Sequence, residues 1–148
     1  MSAMSIRFTL HEGTKVLLDL PLSGGEWQPE VREIVLKELK DSEEDLDSLS
    51  EICDFFSNKK RLQMVNHMIR DCENSASFTD LLKVAVNPKY VSDLVNRSPK
   101  RELVVKDKNG YSVSPIGVGS FLLLSIAIKK LLRNGDSINN DDKSFEEG

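Results

Sequence analysis

The sequence predicts an α+β fold that is mainly helical and contains two small β-hairpins. Apolar residues recur at spacings of three and four through most of the chain, which is typical of helices that bury one face. Two short segments instead alternate apolar and polar residues on either side of a turn, which is typical of hairpin strands. The 148 residues, 39% of them hydrophobic, are enough for one domain with its own core.

An N-terminal extension, residues 1–41, is predicted to contain a hairpin and a helix. Alternating residues at 6–10 and 16–20 predict two strands joined across residues 11–14. A helix is then predicted over residues 29–40. Its helical spacing comes from Trp27, Val31, Ile34, Val35 and Leu39.

A central domain, residues 42–117, is predicted to begin with two longer helices. Ser42 and Asp45 have capping-box spacing and predict the start of the first of them. Its inward residues would be Leu46, Leu49, Ile52, Cys53 and Phe56. After a break at residues 57–58, the next helix has an apolar stripe of Leu62, Val65, Met68 and Ile69.

Two short helices are expected to follow, joined by a tight turn. Ser77 and Asp80 again have capping-box spacing, and Leu81, Leu82 and Ala85 fill the first helix. The second, "NPKYVSDLVNR", starts with Asn87 as N-cap and Pro88 at the first helical position. This pair has the outline of a helix-turn-helix.

A second hairpin is predicted over residues 103–113. Asn109-Gly110 at its centre favours a two-residue turn, in which both residues take positive φ. Helices followed by a hairpin in this order predict a winged helix-turn-helix, with the hairpin as the wing.

The C-terminal helix, residues 118–133 after a start at Ser114-Pro115, is apolar around most of its circumference. Such a helix needs burial on more than one side. We therefore expect one face to pack on the winged helix and another on a second copy of the chain, in a two-fold homodimer. The dimer contacts would be Phe121, Leu124, Ile128 and Leu131. The alternative is burial within the monomer by the N-terminal hairpin and helix. Residues 134–148 are expected to be a disordered acidic tail.

The net charge of −4 argues at first against a nucleic-acid partner, but the charge is unevenly distributed. Residues 1–57 have a net charge of −8, residues 58–111 of +5, residues 112–133 of +3 and the tail of −4. Positive charge is therefore concentrated around the helix-turn-helix, which is compatible with a basic face on an acidic protein.

Three segments resemble, in order and spacing, winged-helix transcription regulators of the ArsR type from archaea and bacteria. They are "NKKRLQMVNHMI", "SFTDLLKVAVNPKYVSDLVNR" and "ELVVKDKNGYSVSPIG", and the resemblance covers residues 45–117. It implies a transcriptional regulator that binds double-stranded DNA. This chain departs from the family's pattern, which usually has a leucine near Ser98 and a glycine near Glu102. Pro99 predicts that the second helix of the pair ends near Arg97.

The candidate DNA-contacting residues lie on the second short helix, just after it, and on the wing. Asn96 and Arg97 suit base edges, whereas Lys89 and Tyr90 suit phosphates or groove walls. Asp93 would repel phosphate, accept a hydrogen bond from cytosine or orient Arg97. The full set is Lys89, Tyr90, Ser92, Asp93, Asn96, Arg97, Lys100, Arg101, Lys106, Lys108 and Asn109. A solvated helix face and a polar hairpin tip are the alternatives.

Other kinds of site are not expected. Cys53, Cys72 and His67 invite a metal-site interpretation, but they are expected on different helical faces or ends, and both cysteines are interpreted as reduced core residues. Two histidines and the lack of a nucleophile motif predict no enzyme, no metal and no cofactor. The apolar run at residues 116–128 is shorter than the roughly 20 residues of a membrane span, so a soluble cytoplasmic protein is expected. The alternative function is a winged-helix module that binds protein within a larger complex.

Overall fold

The computed structural model describes residues 6–22, 27–99 and 102–133, and these form a mixed α+β protein with two small antiparallel sheets. The expected α+β class is thereby confirmed. The chain divides into two compact units. Of the described residues, 45–99 and 102–125 form the central unit, and 6–22, 27–44 and 126–133 form the terminal unit. The predicted acidic tail, residues 134–148, lies outside the described residues.

The terminal unit contains the predicted hairpin and helix. Strands β1 (Arg7–Glu12) and β2 (Lys15–Pro21) pair antiparallel, with a bulge between Leu10 and His11. Helix α1 (Pro29–Asp41) contacts β2. The indole N–H of Trp27 donates to the carbonyl of Pro21 at 2.9 Å, which ties the entry of α1 to the end of the hairpin.

The predicted capping box at Ser42 and Asp45 is wrong. These residues form a 3₁₀ turn in which the Ser42 hydroxyl donates back to the Leu39 carbonyl, and the Asp45 side chain accepts no capping hydrogen bond. Helix α2 (Leu46–Phe55) therefore starts later than predicted, and only its C-terminal end reaches the core. Phe55 and Phe56 are buried. The other expected inward residues are half-buried (Ile52) or exposed (Leu46, Leu49 and Cys53).

Three further helices of the central unit start where the sequence predicts. They are α3 (Lys59–Asp71), α4 (Phe78–Ala85) and α5 (Pro88–Asn96). Each has a side-chain cap: Asn58 accepts from the Arg61 amide, Ser77 and Asp80 form the capping box, and Asn87 accepts from the Lys89 amide. Their buried residues form one core with Phe55 and Phe56: Met64, Val65, Met68, Leu81, Ala85, Val91 and Leu94.

The second sheet has a strand that sequence reasoning missed. Strand β3 (Ser75–Ala76) joins β4 (Val104–Asp107) and β5 (Gly110–Val113) in the order β3-β5-β4. Strand β3 has only two residues, too few to show the alternation of apolar and polar residues by which a strand is predicted from sequence.

The hairpin turn also differs from the prediction. Asp107 pairs with Gly110, so the loop residues are Lys108 and Asn109. Gly110 has φ +135°, whereas Asn109 does not take positive φ; its amide donates to the Asp107 carboxylate at 2.8 Å instead. Gly110 is also needed because β3 passes close to its backbone.

The last helix (Pro115–Arg133) begins at Ser114, whose hydroxyl accepts from the Gly117 amide. It is α-helical in α6 (Pro115–Leu122) and π-helical over Leu123–Ile128. Gly117 is buried against the backbone of Leu103, and Phe121 packs on Phe56 with ring centroids 6.1 Å apart. The start of the helix is therefore part of the central core.

By length and composition, the last helix is the one helix among the described residues that could cross a membrane. It has 19 residues, a mean hydropathy of 1.6 and only 11% of its residues buried. The apolar run at residues 116–128 lies within this longer helix. Its first turns lie in the protein core, however, and the roughly 12 residues beyond Phe121 extend about 18 Å, against about 30 Å of bilayer hydrocarbon.

Candidate nucleic-acid interface

A tight turn holds α4 and α5 together. It consists of Val86 and Asn87, and the Val86 amide donates to the Leu82 carbonyl at 2.7 Å. Val86 has φ +70° and ψ −40° and is 75% exposed. A β-branched residue rarely adopts positive φ, so this turn is backbone-strained. The Asn87 side chain then caps α5, so the helix begins directly after the turn.

Helix α5 separates a buried face from an exposed one. Val91 and Leu94 are fully buried in the central core, which fixes the rotation of the helix about its axis. The polar residues predicted to contact DNA lie away from that core. Lys89, Tyr90, Ser92, Asn96 and Arg97 are exposed, and Asp93 is half-buried.

The tip of the β4–β5 hairpin presents the second group of predicted contacts. Lys106, Lys108 and Asn109 are exposed. The Lys106 ammonium lies 5.7 Å from the ring centroid of Tyr111, a cation–π contact that orients the lysine. Strand β4 contacts α5, and a cavity of about 260 Å³ lies between the end of α5 and this strand. Its lining includes Val95, Ser98 and Lys106, so the lysine of strand β4 borders the same cavity as the end of α5.

The cations of these two elements have no carboxylate partner in the described part of the chain. Ion pairs within 4 Å there involve other cations: Arg7 with Asp19, and His67 and Arg70 with Asp71. The charges of Lys89, Arg97, Lys106 and Lys108 are thus not neutralised within residues 6–22, 27–99 and 102–133. Lys100 and Arg101, also predicted contacts, lie outside the described residues.

The end of α5 agrees with the prediction drawn from Pro99, since Arg97 is its C-cap. The structure adds a function for Ser98 that the sequence did not reveal. Its hydroxyl accepts hydrogen bonds from the amides of Leu103 (2.9 Å) and Val104 (3.4 Å). Ser98 therefore links the end of α5 to the start of β4.

Arg61 lies in the basic first turn of α3, and its contacts explain why a positive charge is present there. Its guanidinium donates to the carbonyls of Phe55 (2.6 Å) and Asp54 (3.2 Å) and lies 5.5 Å from the Phe55 ring centroid. It thereby satisfies carbonyl groups at the C-terminus of α2, where positive charge is favourable. We therefore do not count Arg61 among the candidate DNA contacts.

The structure corrects the placement of His67 and Cys72. Contrary to prediction, they touch: His67 Nε2 lies 3.5 Å from Cys72 Sγ, and His67 Nδ1 lies 3.1 Å from the Asp71 carboxylate. A thiol, an imidazole and a carboxylate in series resemble a nucleophilic arrangement. Burial, together with the charges of Asp80 and Asp71, raises the pKa of the Cys72 thiol, which disfavours the reactive thiolate.

The other cysteine is also not where the sequence predicted. Cys53 is exposed rather than in the core, because only the C-terminal end of α2 is buried. Within the described residues, no group of three or more histidine, cysteine, aspartate or glutamate side chains could hold a metal ion.

Of the four residues of the last helix that were expected at a dimer interface, three are buried or half-buried. Phe121 is 6% exposed, and Leu124 is half-buried and packs on the same core. Leu131 is half-buried, and Ile128 alone of the four is exposed, at 42%. The exposed apolar residues are instead Leu122, Leu123, Ile126, Ile128 and Leu132.

Comparison with known proteins adds no assignment. No family model matches the chain, and no match was found among curated proteins or solved structures.

Proposed function

We propose that this chain is a DNA-binding transcriptional regulator with a winged helix-turn-helix domain, in which α5 is the recognition helix and the β4–β5 hairpin is the wing. One observation is the main support. The exposed face of α5 and the hairpin tip belong to one compact unit, and they present four cations that form no ion pair among the described residues.

The order of the elements also supports the proposal. Helices α3, α4 and α5 are followed by β4, β5 and α6, and the short strand β3 completes a three-stranded sheet. In helix-turn-helix proteins the second helix of the pair enters the major groove, which is roughly 12 Å wide and admits one helix. Since Val91 and Leu94 anchor α5 to the core, its opposite face is available for a groove.

The side chains on that face suit different parts of DNA. Arg97 can donate two hydrogen bonds to guanine, and Asn96 can form a bidentate contact with adenine. Lys89, beside the N-terminus of α5, suits a phosphate. Lys106 and Lys108 at the wing would add affinity that depends on salt and not on sequence.

The overall charge of −4 is compatible with this assignment. Electrostatic attraction beyond about 8–10 Å is screened at physiological salt, so the local charge near the contact surface matters most. Residues 58–111 have a net charge of +5, whereas most of the acidic residues lie in residues 1–57 and in the tail.

The test is binding of the full chain to a mixed-sequence DNA duplex, measured by fluorescence anisotropy between roughly 50 and 200 mM salt. We expect affinity to fall steeply with salt. The double variant Lys89→Ala, Arg97→Ala should bind more weakly, and its slope of log K against log salt should be smaller by about 1–2 if one or two phosphate contacts are lost.

A matched control separates a specific contact from a change in net charge. Arg32→Ala, Lys37→Ala removes one arginine and one lysine from the exposed surface of α1, and it should leave DNA affinity nearly unchanged. Equal losses in the two double variants would mean that α5 has no special role. A folded wild-type chain that does not bind DNA at low salt would overturn the proposal.

The second candidate function is a winged-helix module that binds another protein. It is favoured by the exposed apolar residues of the chain, which DNA would not cover. In that case the α5 double variant would change nothing measurable, and substitutions at exposed apolar residues would abolish the interaction.

A further inference from the structure

The cavity between the end of α5 and strand β4 has no part in the proposed function. Its volume is about 260 Å³, and both elements that border it belong to the central unit. An apolar cavity of about 150 Å³ can hold benzene, so by proportion this one suits a molecule of roughly ten non-hydrogen atoms. The cavity is partly open to solvent, which gives a small ligand a way in.

More than half of the residues that line the cavity are apolar. They are Val95 of α5, Pro99, and Val104 and Val105 of β4. Val104 is fully buried, whereas the other three are half-buried and still expose apolar surface. Covering that surface with an apolar group of a ligand would be favourable. The lining therefore favours a ligand that has an apolar part.

The remaining lining residues are three polar side chains without a complete set of partners. The Ser98 hydroxyl accepts from the amides of Leu103 and Val104, but its own proton has no acceptor among the described residues. Glu102 and Lys106 are exposed, and neither forms an ion pair in the described part of the chain. One free carboxylate, one free ammonium and one free hydroxyl donor thus border the same cavity.

The strand geometry places Lys106 on the side of β4 that faces the core. Residues two apart on a strand share a face, so Lys106 lies on the same face as the buried Val104. Its register partner Tyr111 is also buried, and the Lys106 ammonium lies 5.7 Å from the centroid of that ring. An ammonium has three N–H donors, so this contact leaves donors available for an anion.

We propose that this cavity binds a free apolar α-amino acid. The carboxylate of the ligand pairs with the Lys106 ammonium and accepts from the Ser98 hydroxyl, and the ligand ammonium pairs with the Glu102 carboxylate. The apolar side chain of the ligand covers the valines of the lining. Leucine is of the size that the volume allows.

The two unpaired charges decide in favour of a ligand that carries both signs. A carboxylic acid without an amine would leave Glu102 unpaired and repelled, and an amine without a carboxylate would do the same to Lys106. Charges of both signs at one small cavity are complementary to a zwitterion.

This site does not depend on the proposed function. If that function holds, the ligand and DNA compete for Lys106, which is a candidate contact of the wing. Bound ligand should then weaken DNA binding and reduce the slope of log K against log salt by about 1.

Two-dimensional NMR of the isotope-labelled full chain, without DNA and with L-leucine added to about 20 mM, tests the proposal. We expect saturable shifts of the amides of Val95, Val104 and Val105, with a dissociation constant on the order of 1 mM. Two analogues each lack one charge: isocaproate is leucine without its ammonium group, and isoamylamine is leucine without its carboxylate. Each should bind at least tenfold more weakly, because one charged hydrogen bond is lost.

Substitutions of the two charged residues identify their partners on the ligand. Glu102→Gln should weaken leucine binding at least tenfold and leave isocaproate binding unchanged, because isocaproate has no ammonium group. Lys106→Gln should weaken leucine binding similarly and leave isoamylamine binding unchanged. The matched control is Lys108→Gln, which removes an exposed charge from the same hairpin but does not line the cavity, and it should bind leucine as the wild type does.

Both charged residues are exposed, so the glutamine variants should fold, and the dispersion of their NMR spectra checks it. A wild-type chain without amide shifts at about 20 mM leucine would overturn the proposal. Analogues that bind as tightly as leucine, or equal losses in Lys106→Gln and Lys108→Gln, would do so too. Because no DNA is present, these outcomes leave the proposed DNA binding to its own test.

Discussion

Val86 is a strained residue at the centre of the candidate interface. Its φ of +70° is unfavourable for a β-branched residue, at a cost on the order of 1–3 kcal/mol. Its side chain is 75% exposed, so it contributes little packing in return. The strain is confined to the turn that sets the angle between α4 and α5.

We therefore expect Val86→Gly to stabilise the chain. Relief of strain should exceed the conformational entropy cost of glycine, about 0.5–1 kcal/mol, and leave a net gain of about 1 kcal/mol in the free energy of unfolding. Urea denaturation measures it. Asn74→Gly is the control, because Asn74 also has φ +70° but asparagine tolerates that region, and it should gain little. A loss of stability in Val86→Gly would show that the valine is not strained.

The two cysteines differ in environment, which predicts different reactivity. Cys72 is half-buried beside His67, and burial with the nearby charges of Asp80 and Asp71 raises the pKa of its thiol. A raised pKa lowers the fraction of thiolate at neutral pH, so the thiol should react slowly there and faster as the pH rises. Cys53 is exposed.

Alkylation by iodoacetamide, followed by mass spectrometry between pH 7 and 10, should label Cys53 first. At neutral pH we expect Cys72 to react on the order of tenfold more slowly, with a reaction rate that rises at higher pH. Cys72→Ser confirms the assignment of the peptides. If Cys72 instead reacted faster than Cys53 at pH 7, His67 would be activating a thiolate, and a catalytic role would become the better hypothesis.

At the scale of elements, the last helix depends on how closely it approaches Leu103, the residue before β4. A side chain at Gly117 would overlap the carbonyl oxygen of Leu103 and contact a methyl group of Val113, whereas at Gly119 nothing lies within 4 Å. The two glycines lie in the same helix, two residues apart, so they form a matched pair.

Gly117→Ala should lower the free energy of unfolding by about 1–3 kcal/mol, because backbone and core must shift to make room. Gly119→Ala should raise it by about 0.5–1 kcal/mol through helix propensity alone. Thermal denaturation of the two variants under identical conditions provides the comparison. Equal effects would mean that the helix does not pack on Leu103 as described.

For the whole molecule, the distribution of buried residues predicts which part folds alone. The core cluster lies between Phe55 and Phe121, so the central unit contains all the burial it needs. The terminal unit, with Leu20 as its one buried described side chain, does not. Stability is thus unequal along the chain.

A fragment of residues 45–133 should therefore unfold cooperatively, with a melting temperature within a few degrees of the central unit in the full chain. Circular dichroism on heating measures it, and the full chain is the reference. A fragment without a cooperative transition would show that the central core depends on the terminal unit.

The candidate site could be predicted in part from the sequence. Asn87-Pro88 and the spacing of Val91 and Leu94 locate α5 and its exposed face, because caps and helical periodicity are local signals. Ser98 and Arg61 could not be assigned, since their partners lie in other elements: Ser98 bonds to Leu103 and Val104, and Arg61 to carbonyls of α2. Their roles depend on contacts that no local pattern encodes.

By itself, the sequence determined the α+β class, the starts of α3, α4 and α5, and the concentration of positive charge in residues 58–111. Only the tertiary structure decided which apolar residues are covered. It added β3, buried Phe121, exposed Leu10, Val16 and Cys53, and placed Cys72 beside His67. The physical reason is that a helix start depends on a few adjacent residues, whereas burial depends on residues brought together from distant parts of the chain.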